Sequence, residues 1–201
     1  MAEGERVAET PEELYERALA AADADGRLPI PPLHEWETFP FDGELRTRPL
    51  LPPLPAERAR LGEDPDDCWR CRKGDEDAIW TDERWLLAPL PEPSGLPVVV
   101  ILQPRAHHDL GDLPPELAAE LGPLVVRVER AVASVGEIGR VHFGRWGDGS
   151  AHLHFWFMAR PARLPQTVGS FAAIWDDILP PTPEPVWRAN LAAVAGAMNG
   201  G

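Results

Sequence analysis

Ala151-His-Leu-His-Phe-Trp-Phe-Met158 is the stretch on which the reading of this chain turns. Side chains two apart on a strand share a face, so the alternation predicts a β-strand over 151–158 with His152 and His154 on one side. Two imidazoles among apolar residues are costly to bury unless they meet a metal, a phosphate or a carbonyl partner. Just upstream, Arg145-Trp-Gly-Asp-Gly-Ser150 reads as a Gly-rich turn and residues 140–144 as a strand. Residues 113–135 form an amphipathic helix with Leu117, Leu121, Leu124, Val128 and Val132 on its apolar face, ended by Gly136 and Gly139. The β-branched run over 96–102 predicts a central strand covered on both faces. Two short strands, 78–80 and 85–88, flank the turn at 81–84.

Outside this core, Thr10 as N-cap, Pro11 at the first helical position and Glu12 and Glu13 in the first turn predict a helix over 10–23. Residues 27–66 read as a Pro-rich extended arm with one short strand at 44–47. Its Trp36, Phe39 and Phe41 are expected to pack onto something, and His34 to be a surface residue. Two helices, 168–178 and 185–198, make a tail. The expected organisation is an arm over 1–66, a compact domain over 67–161 and a helical extension over 162–201.

The formal net charge of −14 argues against a partner such as nucleic acid or an anionic membrane surface. It leaves room for a small phosphorylated ligand, which needs only a few local donors. No run of about 18 apolar residues predicts a membrane span. The acidic start has no apolar core of a signal peptide, so the expected location is cytoplasmic and reducing. In that setting Cys68 and Cys71 suggest a metal or redox pair more than a structural disulfide.

Four zinc ligands can be assembled from Cys68, Cys71, one of His107 and His108, and one of His152 and His154. The competing reading is a dithiol or two unrelated thiols. The turn before His152 offers backbone N–H groups, the Ser150 hydroxyl and the Arg145 charge to phosphate oxygens. A neighbouring neutral imidazole could then attack phosphorus. The competing reading there is an ordinary hairpin turn followed by core histidines. His142 is equally a ligand contact or a core histidine.

Taken together, these residues resemble the histidine triad (HIT) superfamily, especially its zinc-containing branch and the related galactose-1-phosphate uridylyltransferases. The shared order is Cys68-x-x-Cys71, a strand, Pro104-Arg-Ala-His107, a helix, a strand with a Gly-rich turn, and His152-x-His154. The resemblance covers about residues 67–161 and implies an α+β fold, an antiparallel sheet with a packed amphipathic helix, commonly a homodimer. It implies a structural zinc (Zn2+) on Cys68, Cys71, His107 and His152, and His154 as the nucleophile that accepts a nucleoside monophosphoryl group. It places Ser150 near the phosphate and leaving group and His142 where the family often has a ligand-contacting Asn; Arg145, Gly149, Trp156 and Glu92 are the other candidate ligand-binding residues.

Three positions depart from the family pattern. Trp156 stands where the third triad residue is a hydrogen-bonding group. Glu92, in Pro89-Leu-Pro-Glu-Pro-Ser-Gly95, is the only carboxylate near the family's ribose-binding Asp. The Gly-rich turn is one residue short. The implied activity is a phosphoryl or nucleotidyl hydrolase or transferase. The alternative is a catalytically silent module that binds a nucleotide-like ligand or a protein partner.

Overall fold

The computed structural model describes residues 10–30 and 35–200, so His34 and the acidic start lie outside the described residues. The chain forms two compact units, 1–58 and 59–201. In the first, Thr10 and Glu13 make reciprocal capping hydrogen bonds that start α1 (Pro11–Ala20). The helix ends three residues short of the expected 23, in a turn where Asp23 Oδ1 accepts from the Asp25 and Arg27 amides.

The strand expected at 44–47 does not form. Prolines 49, 52, 53 and 55 deprive the neighbouring backbone of donors, and Thr47 is held instead by single bonds to Arg27 and Leu28. Phe39 meets Phe41 edge to face, while Trp36 and Phe41 are each 53% exposed.

The second unit carries a five-stranded antiparallel sheet of order β1-β2-β3-β5-β4. The strands are β1 (Trp80–Thr81), β2 (Trp85–Pro89), β3 (Val99–Pro104), β4 (Ile138–Gly144) and β5 (Phe155–Pro161). As the apolar run predicts, β3 is central and covered on both faces. Val98, Val100 and Leu102 join Phe155 and Phe157 beneath α3 (Pro115–Ala133) and α5 (Glu184–Asn199). Val99 packs with Leu96 and Met158 on the other face, where Ala173 of α4 (Ala172–Ile178) lies against them. No helix among the described residues is long and apolar enough to cross a membrane.

β5 starts four residues later than the sequence predicts. Pro104 has no N–H to extend the ladder beyond the Leu102–Phe155 pair. The preceding residues bond elsewhere: the Ala151 amide donates to Leu61 O, and the Leu153 amide to His108 O. His152 and His154 therefore sit on an irregular lead-in to the strand.

Residues 89–97 take up the C-terminal segment. The Leu96 amide donates to Asp176 at 2.6 Å, Thr182 bonds Ser94 O and Leu96 O, and Asn190 bonds Pro97 O. Gly95 is required at this seam, because a Cβ there would stand 2.5 Å from Asp176 O and 2.6 Å from Leu179 Cβ.

Between the two cysteines, α2 (Trp69–Lys73) places Arg70, only 6% exposed, against Asp77. Its guanidinium reaches both carboxylate oxygens at 2.7 and 3.4 Å and also Gly74 O at 3.0 Å. Lys73 adds a second cation at 3.3 Å. Burial opposes ionisation of Asp77, but Arg70 and Lys73 outweigh it and hold the carboxyl below its ordinary range. Removing the carboxylate strands a buried charge, so Asp77→Asn is expected to cost about 3 kcal/mol at neutral pH in urea unfolding. A lowered folded pKa gives stability that is complete above the unfolded value near pH 4 and is lost as pH falls through the folded value. The gap between wild type and variant should therefore narrow below about pH 4.

Candidate metal centre and adjoining histidine site

Three separate stretches deliver the four donor atoms. The turn into α2 brings Cys68 and Cys71, the segment after β3 brings His107, and the lead-in to β5 brings His152. Their ligand atoms all lie within 4.8 Å of one another. His152 Nδ1 stands 3.5 Å from Cys68 Sγ and 3.6 Å from Cys71 Sγ, and His107 Nδ1 is 3.3 Å from Cys71 Sγ. Ligands 2.0–2.3 Å from one ion at tetrahedral angles stand about 3.3–3.8 Å apart, so this donor set fits a closed four-coordinate metal. Zinc suits paired thiolates and imidazoles of this kind.

The outer bonds agree with that geometry. His152 is 1% exposed, and its Nε2 donates to Pro104 O at 2.8 Å, which leaves the Nδ1 lone pair facing the sulfurs. Burial keeps His152 below the ordinary histidine value; the Pro104 hydrogen bond opposes this, and the charges of His107 and Arg70 add to it. Burial, with the hydrogen bond and charge of Cys68, pushes the Cys71 thiol up to about 11. A cation among the donors is what allows two adjacent sulfurs to ionise.

His154 is tied to this centre through the backbone. Its Nδ1 lies 2.8 Å from the carbonyl oxygen of His152 and its Nε2 lies 2.8 Å from Trp146 O. A neutral imidazole has one N–H. With Nδ1–H donating to His152 O, the Nε2 lone pair faces the Trp146 carbonyl, which must withdraw before that nitrogen can reach another atom.

The Gly-rich turn is fastened, not open. Leu61 bridges it on both sides, with its amide donating to Gly149 O and its carbonyl accepting from Ala151, so that Leu61 pairs with Ser150. Arg145 is ion-paired with Asp109, and Arg60 meets the same carboxylate at 2.6 Å and Gly147 O at 3.2 Å. Burial works against the Asp109 carboxylate, but bonds from Arg60, the Leu110 amide and Arg145 hold it below its ordinary range. The Arg145 charge expected to face a phosphate is thus already committed.

His142 and Trp156 line a cavity of about 320 Å³ with Trp146, Met158, Ser170 and Ala173. The His142 Nε2 is buried without a hydrogen-bond partner. Burial, then the Arg160 charge, keeps its pKa below the ordinary histidine value. Glu92 is not brought to this cavity. It is exposed on the turn after β2, which borders the C-terminal seam instead.

Sequence reasoning passed over Arg70, Arg60 and Asp109, whose partners are remote in the chain. It also passed over Gln103, 7% exposed with its Oε1 buried and without a partner. The visible signal was a polar residue ending the apolar run Val98–Leu102. An unpaired buried amide costs about 1–3 kcal/mol, so it calls for an explanation.

Cys68→Ser and His107→Ala are each expected to lower bound metal and melting temperature together, because binding at a four-residue site is coupled to folding. Elemental analysis beside thermal unfolding checks this; full metal loading in either variant would end the assignment.

No protein-family model matches the chain, and no curated protein matches it. Solved structures do. A Zn-bound histidine triad family protein from Mycobacterium smegmatis is 23% identical over 65% of this chain and 95% of that one, with a TM-score of 0.48. A hypothetical histidine triad nucleotide-binding protein from Sulfolobus tokodaii is 14% identical over 66% and 92%, at 0.49. A HIT family hydrolase from Legionella pneumophila is 17% identical over 49% and 98%, at 0.38. These three solved structures, to which the chain is similar, are histidine triad or HIT family proteins.

Proposed function

We propose that this chain is a HIT-like enzyme that hydrolyses or transfers a phosphoryl or nucleotidyl group through a phosphohistidine on His154, beside a structural zinc. The observation that carries the reading is the hydrogen bond from His154 Nδ1 to the carbonyl of His152, itself a member of the donor cluster. With the proton on Nδ1, Nε2 is the nucleophilic nitrogen. The order of motifs in the sequence supports the same assignment.

Zinc at the four donors would hold His152, and through it the backbone that orients His154, with no coordination position left for substrate. The chemistry then belongs to the chain's own groups. As the Trp146 carbonyl withdraws, the His154 Nε2 lone pair forms a bond to phosphorus while the bond to the leaving group breaks. The leaving group departs with the electron pair and takes a proton from water. In the second half, water or another acceptor attacks phosphorus and releases both its proton and the imidazole. Ser150 and Gly149, at the end of the turn, would meet the phosphate and leaving group. His142 and Trp156 would bind the ligand's organic portion, a small phosphorylated or nucleotide-like molecule.

A second reading, a silent module that binds such a ligand without reaction, is favoured by the carbonyl against Nε2 and by Trp156 in the third triad place. Incubation with adenosine 5′-phosphoramidate or a dinucleoside polyphosphate, followed by mass spectrometry at neutral pH, separates the two. The enzyme is expected to acquire an acid-labile nucleotidyl adduct that disappears in His154→Ala. Tight nucleotide binding with no adduct would instead establish the silent module.

A further inference from the structure

We infer that Gln103, on the neighbouring strand, supplies the hydrogen-bonding group that Trp156 does not, contacting the phosphoryl group as it passes to His154. The inference rests on the phosphohistidine reading and adds a residue to it.

The register places the side chain. Val99 pairs with Met158, Ile101 with Trp156 and Leu102 with Phe155. The paired ladder ends there; the next residue along β3 is Gln103, and the residue just before β5 is His154. Opposed residues of an antiparallel pair point to the same face. Gln103 therefore shares the Val99, Met158 and Trp156 face, away from the α3 and α5 core. On its other side it pairs with Leu86 of β2, which is buried and offers nothing polar.

The chemistry of the position supports a ligand contact. Gln103 is almost wholly buried, and its Oε1 has no partner among the described residues. Residues Val98–Leu102 show that an apolar side chain fits this strand. A polar one at its end, buried and unsatisfied, is explained by a group that arrives with the substrate. The two ends of the amide exchange by a flip about the last side-chain bond, so the same residue can donate or accept there. Trp156 has one N–H, no acceptor and a ring that lines the cavity. An amide cannot move a proton at neutral pH. Its part is to donate from Nε2 to a non-bridging phosphoryl oxygen as charge gathers there; it forms and breaks no covalent bond.

The test is rapid-quench measurement, on the metal-loaded full chain, of adduct formation with adenosine 5′-phosphoramidate. Gln103→Met keeps the volume and removes the amide. It is expected to slow formation on the order of 100-fold, the usual effect of losing one such donor. KM should change little, and melting temperature should stay the same or rise, because an unsatisfied buried group is gone. Adding Trp156→His to Gln103→Met is expected to recover part of the rate, which a purely packing role for Gln103 would not produce. Should Gln103→Met fail to fold, Gln103→Asn, which withdraws the amide by one methylene, is read the same way. Wild-type rates in the single variant, or a loss of rate that tracks a loss of melting temperature and is not recovered by Trp156→His, overturn the inference. Absence of any adduct in the wild-type protein overturns the underlying reading and this inference together.

Discussion

His152 makes three commitments, and the site depends on all of them. Its Nδ1 faces the two sulfurs, its Nε2 donates to Pro104 O, and its own carbonyl meets His154 Nδ1. The first two leave the ring no alternative tautomer that keeps both contacts, so the orientation is set by valence as much as by packing. The third passes that orientation to the next imidazole through two residues of backbone. Any displacement of the thiol pair thus reaches His154 without altering a residue near it.

The segment after β3 carries a matching set of duties. His107 faces Cys71, His108 O accepts from Leu153, and the Asp109 carboxylate binds Arg60 and Arg145. Three consecutive residues therefore hold the donor cluster, the lead-in to β5 and the Gly-rich turn. The turn is closed by ionic and backbone bonds near the surface, where solvent competes for every partner. The candidate metal centre is buried at Cys68 and His152 and reaches the surface at Cys71. It is the turn that carries the Trp146 carbonyl facing His154.

Most of the sheet could be read from the chain because its signals are local. The β-branched run became the central strand, and the apolar stripe of Leu117, Leu124, Val128 and Val132 became the buried face of α3. The donor residues were legible for a similar reason: Cys and His in that order and type have few other uses. The late start of β5 was not legible, since it depends on what Leu61 and His108 offer the backbone of 151–153. The surroundings of Arg145 and Glu92 were not legible, because a charge in sequence does not reveal its counterion. Asp109 had already claimed Arg145, and the turn bearing Glu92 was turned toward the C-terminal segment.

What residue order determined by itself is the periodic and the chemical: strand and helix stripes, caps, and a set of ligand types that can hold a metal. These follow from side-chain spacing and intrinsic reactivity, which need no knowledge of distant partners. Only the tertiary structure decided which imidazoles face the sulfurs, that the His154 ring meets the carbonyl of His152, and that the Gln103 Oε1 is buried without a partner. Each is a relation between residues far apart in the chain, and hydrogen bonds and coordination act over about 3 Å of space, whatever the separation in sequence.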